Sequence, residues 1–196
     1  SIRRQRQMCI RDSNGTVEWS FADWGPKEGK WANIAPNTPL YKDGKIFFCH
    51  GYNINGVMLQ LSDDLKSVSV VWRTDVLDTH HGGYVEVNGT IYGSNWINNN
   101  QGNWCAIDWN TGAKGYETTW TGGKGKGSII AADGMLYCYD ERRGAVALVN
   151  PDPAKFDIVS EFRITKGVGP HWAHPVIVNG VLYIRHGFAL MAYKVK

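Results

Sequence analysis

Pro175-Val-Ile-Val-Asn179-Gly180-Val-Leu-Tyr183 decides how this chain is read: an apolar run, an Asn-Gly pair, then a second run ending in an aromatic residue. The same sentence occurs three times earlier. The copies are Pro39-Leu-Tyr-Lys-Asp43-Gly44-Lys-Ile-Phe47, Gly83-Tyr-Val-Glu-Val-Asn88-Gly89-Thr-Ile-Tyr92 and Ser128-Ile-Ile-Ala-Ala-Asp133-Gly134-Met-Leu-Tyr137. Asx-Gly between alternating apolar residues is the strongest short-range hairpin signal, because a type I′ turn needs positive φ at both central residues. The turn glycines Gly44, Gly89, Gly134 and Gly180 are spaced by 45, 45 and 46 residues. A fixed period of that size, built from strands, is the mark of a propeller or a solenoid.

Each repeat divides into a first strand, the turn, a second strand, a polar loop, a third strand and a fourth strand ending near an aromatic residue. The predicted strands are 38–43, 45–50, 56–61 and 67–73; then 83–88, 90–94, 103–108 and 116–121; then 128–132, 135–140, 144–149 and 157–163. The last repeat supplies 174–178, 181–185 and 188–194. Four short antiparallel strands per repeat make a propeller blade rather than a solenoid turn. The expected fold is therefore an all-β propeller of about four four-stranded blades, the last incomplete, with no helix. One further strand, Val17 to Phe21, stands alone. It either completes the last blade of a four-bladed ring or belongs to a larger propeller with blades upstream, and the second reading is preferred. An open arc of this kind exposes strand edges and apolar blade faces.

The formal charge of +3 comes entirely from the head, where residues 1–13 hold four arginines and one aspartate. The rest balances 17 basic against 17 acidic residues. A neutral body lacks the clustered basic surface that nucleic acid or an anionic membrane requires. Residues 1–13 show no strand alternation and no link to the repeat. They resemble translated sequencing-adaptor read-through at the ends of reading frames assembled from environmental DNA; a disordered basic terminus is the alternative. Either way they are set aside, and the repeat domain is taken as 14–196. No apolar run approaches the ~20 residues needed to span a bilayer.

At Ala106-Ile-Asp108-Trp-Asn-Thr111-Gly112, followed by Trp120, the chain resembles the pyrroloquinoline-quinone-like (PQQ-like) propeller repeat, whose signature is Ala-x-Asp-x-x-Thr-Gly and then an outer-strand Trp. Asn14-Gly15-x-x-x-Trp19 matches the second half; the stretches leading to Trp72 and to Phe162 are degenerate copies. The resemblance implies that Trp19, Trp72, Trp120 and Phe162 pack between neighbouring blades. It also implies a bacterial, exported protein, periplasmic or extracellular, read here as the C-terminal part of a larger propeller. Similar proteins include quinone-dependent dehydrogenases and outer-membrane assembly lipoproteins. The quinone enzymes would imply PQQ with calcium in a full-length parent. Their adjacent Cys-Cys pair is missing, since Cys9, Cys49, Cys105 and Cys138 are far apart. Buried free thiols are expected, with a bridge between repeats as the alternative.

Counting back six to nine residues from each turn glycine gathers polar residues at one mouth of the central channel. These are Asn37 in the first repeat, His80 and His81 in the second, Lys126 in the third, and His171, Trp172 and His174 in the fourth. Imidazoles can hold a transition metal or move protons, and they can equally hydrogen-bond loop backbone between blades. The candidate ligand-binding residues are therefore His80, His81, Lys126 (as an anion contact), His171, Trp172 and His174; no metal site and no catalytic residue is assigned. The nine tryptophans include several on loops or strand margins, Trp24, Trp31, Trp96, Trp104, Trp109 and Trp172, which either pack on blade faces or stack on a sugar or flat cofactor. The expected function is a non-catalytic binding or scaffold module that takes a small molecule, glycan or protein at the mouth. The alternatives are a quinone-dependent alcohol or sugar dehydrogenase and a metal-assisted enzyme built on His80, His81, His171 and His174.

Overall fold

The structure is a computed structural model that describes residues 7–10, 15–23 and 34–195. Asn14, Trp24, Trp31 and most of the head lie outside the described residues. All regular structure among the described residues is β. The first sheet contains β3 (Leu40–Lys42), β4 (Lys45–Cys49), β5 (Gly56–Leu61) and β6 (Val68–Thr74) in that order. The second contains β7 (Tyr84–Val87), β8 (Thr90–Ser94), β9 (Trp104–Asp108) and β10 (Lys114–Thr118). The third contains β11 (Gly127–Ala132), β12 (Met135–Asp140), β13 (Ala145–Asn150) and β14 (Asp157–Arg163). The fourth has three strands, β15 (Val176–Val178), β16 (Val181–His186) and β17 (Ala189–Lys194). Every neighbour is antiparallel and every sheet follows chain order, so these are the blades of a propeller, the last incomplete.

The four hairpins carry the fold as their sequences require. Asp43, Asn88, Asp133 and Asn179 have φ of 50, 51, 50 and 51°, and the glycines after them have φ of 74, 82, 72 and 71°. Both central residues are thus left-handed, the type I′ pattern whose twist matches the flanking strands.

Apolar clusters lie between blades. Phe47, Met58, Ile91 and Ile107 join the first and second blades; Trp104, Ala106, Leu136 and Ala147 join the second and third; Tyr139, Val146, Leu182 and Ile184 join the third and fourth. Trp72, at the end of the first blade's outer strand, lies over the second blade's Thr111-Gly112 turn. A Cβ added to Gly112 would stand 2.6 Å from the Trp72 ring. That turn is held by Asp108, whose Oδ1 accepts from the Asn110 and Thr111 amides and from Thr111 Oγ1 at 2.8–2.9 Å. Slight burial would raise the Asp108 carboxyl, but the Thr111 bonds win and hold it below the usual range. Trp120 is buried against Trp104, with ring centroids 6.0 Å apart, and its Nε1 donates to Glu161 Oε2 at 2.9 Å. Phe162 meets Tyr193 of the fourth blade at 4.8 Å.

Two elements differ from the sequence reading. β10 begins and ends early, because its register slips between Lys114 and Tyr116, leaving Gly115 as a bulge; Trp120 then falls beyond the strand and turns inward. The stretch Gln7–Ile10 (β1), set aside above, pairs antiparallel with Val17–Phe21 (β2). β2 leans on the first blade through Phe21, edge-on to Phe48 at 6.0 Å, and through an Asp23–Arg73 ion pair at 2.8 Å. It does not join the three-stranded fourth blade.

Candidate functional site

The loops before the innermost strands do converge. Between them lies a cavity of about 470 Å³, lined in part by Tyr52, His80, His81, Lys126, Glu141 and Trp172. Asn99, Asn100, Arg142 and Pro170 complete its wall. Its volume falls within the roughly 300–1,000 Å³ of small-molecule sites.

Its floor is a buried ionic network. Glu141 bridges two blades, accepting from Lys126 Nζ on one oxygen and meeting His81 Nε2 at 2.9 Å on the other. Lys126 Nζ also donates to the backbone oxygens of Asn98 (3.2 Å) and Asn99 (3.1 Å). An ammonium has three protons, and these three acceptors use them all. Lys126 is therefore a structural cation that ties the Asn98–Asn100 loop down. Burial, the largest influence on Glu141, opposes its charge, but the bonds from His81 and Lys126 outweigh it and keep the carboxyl below its usual range.

Above the floor runs an aromatic band. Trp96 meets Tyr52 at 4.9 Å, Tyr52 meets His80 at 4.6 Å, His80 meets His81 at 4.9 Å and His81 meets Trp172 at 5.3 Å. Trp172 is 57 % exposed and stands at the rim. Burial, reinforced by the nearby His81 and Lys126, pushes the His80 imidazole down to about 4, so it is neutral at physiological pH. Asn37, almost buried, holds the two-histidine loop in place: its Nδ2 donates to the oxygens of Thr79 and His80, and its Oδ1 accepts from Gly83 N.

The six sequence-derived candidates thus separate. His80, His81, Lys126 and Trp172 line the cavity. His171 is buried behind it, hydrogen-bonded to the Tyr139 hydroxyl and stacked on His186 at 3.7 Å; burial, with His186 beside it, lowers its pKa. His174 packs over Gly83 and donates from Nε2 to His81 O at 2.8 Å, linking the fourth blade to the second. The four histidines do not converge, and no group of three or more His, Cys, Asp or Glu among the described residues is placed to hold a metal.

Tyr52, Glu141 and Arg142 were missed. The signal was on the same ruler, read forward: Tyr52 stands eight residues after Gly44, and Glu141 and Arg142 stand seven and eight after Gly134. At position six stand His50, Asn95, Asp140 and His186, all buried. The last three tie down the loop that leads into their own blade. Asn95 Nδ2 donates to Val76 O, Asp140 Oδ1 accepts from Lys124 N, and the two ring nitrogens of His186 lie 2.7 Å from Lys166 O and Gly169 O.

The residues present do not fit a quinone–calcium pair. Cys49, Cys105 and Cys138 are buried free thiols on three different blades, and the cavity's one buried carboxylate already has a cationic or imidazole partner on each oxygen.

No protein-family model matches the sequence, and curated proteins give no significant match. Solved structures do. BamB from Moraxella catarrhalis is similar at a TM-score of 0.66 and 15% identity, over 96% of this chain and 52% of its own. A 6-phosphogluconolactonase-like protein from Bacteroides fragilis is similar at 0.60 and 10%, over 97% and 60%. A quinohemoprotein alcohol dehydrogenase from Pseudomonas putida is similar at 0.55 and 16%, over 76% and 28%. The chain spans about half the length of BamB, and less of the dehydrogenase. At these identities the likeness shows the fold, a β-propeller.

Proposed function

We propose that this chain is a propeller binding module whose mouth cavity receives a small polar ligand or a short segment of a partner. The observation that carries this reading is the state of the floor: Lys126, Glu141 and His81 partner one another, while Tyr52, His80, Trp172, Asn99 and Asn100 complete the lining. Such a site is organised before anything binds, which reduces the cost of ordering on association. The resemblance to exported PQQ-like proteins leads us to assign it to the periplasm or the cell exterior. A quinone-dependent activity is the competing reading, and the partnered carboxylate and separated thiols count against it.

The test is an NMR titration of the folded protein with a library of small neutral, anionic and peptidic compounds. Hits are expected to shift the Trp172 indole and the backbone amides of His80, His81 and Glu141. Hits that cluster elsewhere on a folded protein overturn the proposal. A parallel titration with PQQ and calcium, followed by cofactor absorbance and dye-linked alcohol oxidation, is expected to show no saturable binding; turnover would replace the binding module with an enzyme.

A further inference from the structure

We propose that the mouth cavity takes a neutral sugar ring. This rests on the binding-module reading above and specifies its ligand. The argument begins with what the cavity still offers once its internal bonds are counted. Lys126 has no free proton, and Glu141 is bound on both oxygens, so the site's strongest charges cancel and are spent. An anion would find no free proton on Lys126, whose donors are all engaged.

What remains is mixed hydrogen-bonding capacity. His80 is neutral, with one ring nitrogen a donor and the other an acceptor. Asn99 and Asn100 are exposed residues of the cavity lining; the Asn100 amide presents both a donor and an acceptor, and Asn99, whose Oδ1 accepts from Trp96 Nε1 at 3.4 Å, keeps its amide donors. Hydroxyl groups also donate and accept, so a polyol matches this set, whereas a carboxylate or phosphate, which only accepts, wastes half of it.

The aromatic geometry agrees. Trp172 is 57 % exposed at the rim, yet its ring is fixed edge-to-face on His81 at 5.3 Å. Tyr52, from a different blade, is braced between His80 and Trp96. Two held aromatic side chains flank a space bounded by amides. The C–H faces of a sugar ring are apolar and its edges polar, so it can lie against an aromatic face while its hydroxyls reach the amides. Arg142 is the one remaining cation; it lies exposed, donating to Asn100 O at 3.0 Å. It leaves room for an acidic sugar as a variant but does not require one.

Isothermal titration and indole-resolved NMR, using glucose, galactose, N-acetylglucosamine and galacturonate as probes and succinate and triglycine as controls, test this. At least one neutral sugar is expected to bind saturably and shift the Trp172 indole. Trp172→Ala is expected to weaken that binding roughly tenfold, as loss of one aromatic contact and its buried area predicts, and Trp172→Phe to hold it within about threefold. Near-UV circular dichroism and a preserved His174–His81 region in the NMR spectrum confirm that both variants are folded. Binding of succinate or triglycine at the mouth without any sugar overturns the sugar inference and leaves the binding module standing. A requirement for the carboxylate of galacturonate, with no neutral sugar bound, likewise overturns it. No binding at the mouth by any probe overturns both.

Discussion

Replacing Glu141 by glutamine keeps the shape of the side chain and removes only its charge. Glu141 and Lys126 are 7 % and 4 % exposed, so the variant strands an ammonium in the interior with only the Asn98 and Asn99 carbonyls and one amide oxygen as partners. Breaking a buried pair by removing one member costs about 3–5 kcal/mol. The carbonyls persist, so the lower end applies, and ~3 kcal/mol is expected. For a domain of this size that lowers the melting temperature by roughly 6–12 °C. The double variant Glu141→Gln with Lys126→Met removes both charges and should recover at least half of the loss, because no uncompensated charge is then left buried. The contribution also depends on pH. Glu141 has a folded pKa below its unfolded value, so its share of the stability is complete above the unfolded carboxylate pKa of about 4.3. That share disappears as the pH falls from there through the folded value. Urea melts of wild type and Glu141→Gln should therefore differ most near pH 7 and converge toward pH 3. A difference below 1 kcal/mol at pH 7, or one that does not shrink in acid, would refute the account of the floor as a buried ionic network.

Three further outcomes follow from the blade contacts. Gly112→Ala places a Cβ 2.6 Å from the Trp72 ring at a φ of +71°. The left-handed backbone alone costs about 1–2 kcal/mol, so a loss of at least 2 kcal/mol in urea unfolding is expected; a neutral result would show that Trp72 does not rest on this turn. Asn95→Ala removes the bonds to Val76 O and Glu117 and should cost about 1–3 kcal/mol by the same assay. Burial raises the thiol pKa of Cys49, Cys105 and Cys138. In a Cys9→Ser background, a disulfide reagent at pH 8 should label none of them in the native protein and all three in urea; fast native labelling of any one would contradict its placement.

What was legible in the sequence was whatever is decided locally. Asp43-Gly44 and its three counterparts fix their turns through their own backbone preferences, so four hairpins and the register around them could be read directly. The Asp108 to Gly112 turn was legible for the same reason: all its bonds close within five residues. The end of β10 was not, because Gly115 bulges in response to Pro153 from another blade; an added Cβ there would lie 2.0 Å from the Pro153 oxygen. The same holds for the site. The glycine ruler gathers His80, His81, Lys126 and Trp172, which line one cavity in the structure, but Glu141 meets His81 across 60 residues of sequence and no local pattern announces that pair. For His171 and His174 the sequence left a ligand contact and a backbone hydrogen bond between blades both open; His174 makes such a bond to His81 O, and His171 stacks on His186.

The repeat also explains how the fold can hold one shape while offering a variable site. Six residues after each turn glycine the chain places a buried polar side chain; in the last three blades it ties down the incoming loop, and it differs among His50, Asn95, Asp140 and His186 without changing its position. The next two positions point elsewhere and contribute Tyr52, Glu141 and Arg142 to the cavity. Support and site are therefore one or two residues apart on the same loop. A change at position eight, where Tyr52 and Arg142 stand, alters the ligand surface against a fixed frame, whereas Glu141 at position seven also carries the buried ionic network. A change at position six moves the frame, and with it the loop that carries the same blade's other contribution to the mouth. Stability and binding should accordingly separate along a single period: Asn95→Ala acting mainly on unfolding, and Trp172→Ala, at the exposed rim, acting mainly on affinity.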